Sequence, residues 1–148
     1  MKRWPLAACA VILFFTAAAA DLGLRSRSAL RTAQRCELWV KTPALKAEYY
    51  ESLYKAKLAR LDAGLASGRL NKEQAAQQAD LLRTERDFQL EESSAKLAWL
   101  WYKTAAGKFK SPLNPWAAQA RARLPAALAA WRAELAAKKI KTEDWMTE

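Results

Sequence analysis

Gly64-Leu65-Ala66-Ser67-Gly68-Arg69-Leu70-Asn71-Lys72-Glu73-Gln74 is the stretch that decides the fold. Its two glycines weaken and then end a helix, because glycine gives up the most backbone freedom in a helix and readily takes the left-handed turn that closes one. Asn71 then offers an N-cap side chain, and Gln74 stands three residues on, where a capping-box partner belongs. Leu70, just before the cap, supplies the apolar half of a staple. A helix stop followed at once by a helix start predicts two antiparallel neighbours.

Upstream of that turn, Thr42-Pro43 reads as an N-cap and first helical residue, since proline presets φ and lacks an N–H that would go unpaired there anyway. Tyr54, Leu58, Leu61 and Leu65 recur at helical spacing, flanked by Leu45, Tyr49 and Leu53, which predicts a helix over 43–66 with one apolar face. Downstream, Lys72 to Ala106 contains neither Gly nor Pro. The run predicts one long helix, 72–106, with Leu81, Phe88, Trp99 and Tyr102 as its buried side. Gly107 to Asn114 reads as a loop, and Asn114-Pro115 as the cap of a last helix, 115–138, with Trp116, Ala120, Leu124, Leu128, Trp131 and Leu135 as its stripe. Pro125 lies inside that helix and predicts a kink or a break. Thr142 to Glu148 adds either a terminal turn in which Trp145 docks or a frayed end.

Composition agrees with this class: 33 alanines against 4 glycines and 5 prolines favour helix over long stretches. The expected fold is all-α, a long antiparallel helical hairpin with a third, Pro-kinked helix packed on its aromatic-rich end. Residues 21–41 form a short helix or linker, and 42–148 a single helical domain.

The N-terminus carries an address. Lys2 and Arg3 precede a run, Trp4 to Ala20, without any charge and containing Val11-Ile12-Leu13-Phe14-Phe15. This is the pattern of a bacterial secretory signal, and Ala18 and Ala20 fit a small-residue cleavage site. Cleavage near Ala20 would leave a periplasmic or secreted chain beginning at Asp21. The alternative is an inner-membrane anchor formed by residues 4–24, and the arginines at 25, 27, 31 and 35 would resist translocation. Cys36 is then the lone cysteine of the mature chain, which excludes an internal disulfide and suits a small buried apolar residue.

The chemistry-bearing inventory is thin. The chain has no histidine, which removes the commonest general base and metal ligand. The carboxylates Glu85, Asp87, Glu91 and Glu92 have no nucleophile placed beside them, and no phosphate loop, zinc spacing or nucleophile elbow occurs. Neither an enzyme nor a bound cofactor or metal is expected. The net charge is +10, and much of it falls in 96–139, where aromatic and basic residues interleave. Trp101, Lys103, Lys108, Lys110, Arg121 and Arg123 are the candidate binding surface for an anionic lipid or cell-wall polymer. A nucleic-acid partner is not expected. Trp101 points away from Trp99 around the helix and marks a possible subunit contact.

Leu61, Gly68, Leu70, Asn71, Glu73-Gln74 and Leu81-Leu82 make residues 58–82 resemble the SHOCT-type helical hairpin module. Here the segment lies mid-chain, with Ala75 where an aromatic is common. The resemblance implies an interaction or oligomerisation module, with Gly68, Leu70, Asn71 and Gln74 as its turn and cap. Leu70 to Gln74 is also similar to an element of the Spy/CpxP periplasmic helical proteins, with Asn71 replacing a threonine. The function expected is that of a cell-envelope scaffold, adaptor or chaperone-like factor binding a protein partner or a second copy.

Overall fold

The computed structural model describes residues 4–109 and 114–141, the side chains of residues 4–8 and 10 excepted. Five helices account for the secondary structure among them, with no strand: α1 Trp4–Lys41, α2 Pro43–Ala66, α3 Lys72–Glu91, α4 Ser94–Gly107 and α5 Pro115–Ala137. The all-helical class is as expected. Thr142 to Glu148, including Trp145, lies outside the described residues, as does part of the N-terminal segment expected to be a signal or anchor. Among the described residues, no helix is long and apolar enough to cross a membrane.

The chain divides into two compact units, residues 1–37 with 95–148 and residues 38–94. Residues 42–148, expected as one domain, therefore contribute to both. In the first unit the core is a stripe on α1, α4 and α5. Ser26, Ala29, Leu30, Ala33 and Cys36 are buried at helical spacing on α1, so the stretch expected as a short helix or linker is part of a long helix whose second half builds core. Nine alanines are among the buried core residues, and such small side chains let helix backbones approach closely. Trp99 of α4 and Trp131 of α5 fill the wider space, stacked at 4.8 Å between ring centroids and 28° between planes. Trp116, Leu124, Leu128 and Leu135 pack against this core, and α5 runs unbroken through Pro125.

In the second unit α2 and α3 pair with residue numbers running in opposite senses. Lys46 meets Leu90, Tyr50 meets Gln89, and Lys57 meets Glu85. The turn forms as its residues dictate. Gly68 sits at φ +70°, where an L side chain is strained. The Arg69 and Leu70 amides donate back to the Gly64 carbonyl at 3.0 and 3.3 Å. A Cβ at Gly64 would lie 2.9 Å from Leu70 Cδ1, so a larger residue there requires the Leu70 side chain to shift. Asn71 and Gln74 close the reciprocal capping box, with Gln74 N–H on Asn71 Oδ1 at 2.7 Å and Asn71 N–H on Gln74 Oε1 at 3.1 Å.

Two expectations fail. The helix 72–106 is two helices, α3 ending at Glu91 and α4 beginning at Ser94, with Glu92 extended at ψ 137°. Ser93 stands at the position before α4, where serine favours a cap over a continuing helix. Because the helix stops there, Leu81 and Phe88 do not share a buried side with Trp99 and Tyr102: they are 68% and 62% exposed. Thr42 and Pro43 are, as expected, the N-cap and first residue of α2, although the Thr42 side chain makes no cap bond. Its carbonyl instead accepts from Leu45 N–H at 3.1 Å.

Candidate binding surfaces

The basic, aromatic surface belongs to the first unit. Trp101 is 37% exposed on α4 while Trp99, two residues back, is buried. The Lys103 ammonium lies 4.9 Å from the centroid of the Trp99 ring, a cation–π contact that leaves Lys103 itself exposed. Lys108 is exposed in the turn after α4, and Lys110 lies outside the described residues. The two arginines have internal work. Arg121 Nη1 donates to the Ala106 carbonyl at 3.5 Å, one of the last carbonyls of α4, which lack helical partners. Arg123 Nη1 donates to Glu37 Oε1 at 3.4 Å. The described candidates thus share one unit and are all exposed; Arg121 and Arg123 also make side-chain bonds within it, and no such bond is seen among the described residues for Trp101 or Lys108.

Glu37 was not foreseen. It is the only acidic residue between Asp21 and Glu48, and that isolation in a basic stretch is the signal for a structural ion pair. Its second oxygen accepts a 2.6 Å hydrogen bond from the Tyr102 hydroxyl. Burial, and then the bond to Glu37, pushes the Tyr102 phenol far above its usual pKa. Arg27 joins the same unit, its guanidinium 5.9 Å from the Trp116 ring centroid.

The second surface is the hairpin. Neither α2 nor α3 fully buries an apolar side chain; the buried residues of α2 are Lys46 and Gly64, and α3 has none. Polar groups hold the pair together instead. The Lys46 ammonium donates to the carbonyls of Leu90, at 3.0 Å, and of Glu92. Arg86 donates to Asp87 at 2.7 Å and to Glu51 at 3.4 Å, while its guanidinium lies 4.7 Å from the Tyr54 ring centroid. Its bond to Asp87 raises its pKa still further. Outside this seam runs an open groove of about 320 Å³, mostly apolar, lined by Lys57, Arg60, Leu61, Gln78, Leu81 and Leu82.

Charge separates the two units. Residues 38–94 hold nine Lys and Arg against nine Asp and Glu, so the formal +10 lies wholly in 1–37 and 95–148. Among the described residues no His, Cys, Asp and Glu are grouped to hold a metal. No family model, curated protein or solved structure matches the chain.

Proposed function

We propose that this protein is a non-enzymatic bacterial cell-envelope factor, a helical scaffold, adaptor or chaperone-like protein, that binds a protein partner through the outer face of the α2–α3 hairpin. The observation that carries this is the exposure of Leu81 and Phe88, 68% and 62%, in a helix that buries no residue of its own. An apolar face left open on a unit this small is a face built to be covered. The kinship proposed for residues 58–82 with SHOCT-type hairpins points the same way. Val11 to Phe15, 53–70% exposed along α1, suit an export signal cleaved near Ala20, or in the second arrangement an inner-membrane anchor over 4–24. Co-purification from native envelopes tests the adaptor role: the captured partner should be lost on L81K/F88K substitution. Undiminished capture would end the proposal.

The partition of charge favours a second role, attachment of the first unit to an anionic lipid surface or wall polymer through Trp101, Lys103 and Lys108. A unit of net charge +10 joined in one chain to a neutral one concentrates its attraction for polyanions on one side of the sequence division.

A further inference from the structure

We infer that the occupant of the hairpin face is a second copy of the same hairpin, the two copies forming a four-helix bundle about a two-fold axis parallel to the helices. This rests on the protein-binding role of that face and names its partner.

The levels of the two helices are fixed by the Lys57–Glu85 bridge at 2.7 Å. One turn towards the closed end, Leu61 stands beside Leu81 in the groove. One turn the other way, Leu53, 40% exposed, comes level with Phe88 to within a residue. Helical spacing puts Leu53, Lys57 and Leu61 in one row on α2, with Arg60 alongside Lys57, and Leu81, Glu85 and Phe88 in one row on α3. Each row is apolar at both ends and charged in the middle, and the middle of the α2 row is cationic while that of the α3 row is anionic.

A two-fold axis lying between two such faces and parallel to the helices sets α2 of one copy over α3 of the other and preserves every level. Leu53 then meets the partner copy's Phe88, and Leu61 meets its Leu81. Lys57 and Arg60 come to its Glu85. Arg60 has no ion-pair partner among the described residues of its own chain; the pairing supplies one. The face is self-complementary in shape class and in charge, as an isologous interface must be. The neutrality of residues 38–94 means that the interface itself adds no net repulsion between the copies.

The test is photo-cross-linking in the native cell with the full chain, a benzophenone-bearing residue replacing Gln78 beside the groove. The expected product has twice the mass of the chain and falls about tenfold or more when L81E/F88E is added, with the helical circular dichroism of the purified variant unchanged. A twice-mass product that survives L81E/F88E overturns the inference. A product with a different protein alone overturns the second copy while leaving the adaptor role standing. No product at all overturns both. Mixing purified R60E and E85R chains is the rescue arm: each alone should be less dimeric than wild type in light scattering, and the mixture should recover the dimer.

Discussion

The ammonium of Lys46, on α2, donates to the carbonyl oxygen of Leu90, on α3, at 3.0 Å. A lysine so close to the first turn of one helix thereby closes the last turn of another, supplying a positive donor where carbonyls lack partners and the helix dipole is negative. Lys46 is 5% exposed and its bonds to the two carbonyls are part-buried, so its loss removes a charged donor from a site that water reaches only in part. Lys46→Met should cost about 2 kcal/mol, read as an earlier urea midpoint for the α2–α3 helical signal.

Tyr102 has no exposed surface, and its hydroxyl is bonded to Glu37. Its pKa is raised on folding. The folded state therefore holds the phenol proton where the unfolded chain releases it. The contribution is present below the unfolded value, about pH 10, and is lost as pH climbs above it towards the folded value. Alkaline titration of unfolding should show this loss, and Tyr102→Phe should flatten it while costing about 1 kcal/mol at neutral pH.

Among the described residues two positions take left-handed backbone, Gly68 at φ +70° and Lys139 at φ 56°. One suits its residue and the other does not. Gly68→Ala should destabilise by about 1 kcal/mol and Lys139→Gly should stabilise by about the same amount. Opposite shifts in thermal midpoint would verify the pair; equal signs would refute it.

Binding of the full chain to anionic vesicles should weaken as salt rises and weaken further with K103E/K108E. Both lysines are exposed. Arg123 is a poorer choice because it is paired with Glu37. Binding indifferent to salt and to both substitutions would remove the anionic-surface role.

The parts legible in the sequence were those announced by residues with few alternatives. Gly68, Asn71 and Gln74 can do little together except end one helix and cap the next, and Asn114 caps α5 by accepting from the Trp116 and Ala117 amides. The aromatic stripe Trp99, Tyr102 and Trp131 was readable because large side chains at helical spacing need a core. The break at Ser93 was not, since it contains no glycine or proline and its local preference is a few tenths of a kcal/mol per residue. The core face of α1 was equally quiet: Ala29, Ala33 and Cys36 are too small to mark a stripe. On the candidate surface, Lys103, Lys108, Arg121 and Arg123 are all exposed, but the two arginines also make bonds within their unit that charge counting does not foresee.

The separation of a neutral hairpin from a unit that carries all the net charge has a practical side. Concentrated salt screens ionic attraction but leaves apolar burial intact or strengthens it, whereas dilute urea, being uncharged, weakens apolar burial without screening. The two proposed attachments should therefore come apart under different washes: salt should strip the chain from polyanions as an assembled particle, and dilute urea should dissociate the particle while the basic unit stays bound. The order in which the washes are applied then decides which complex is recovered.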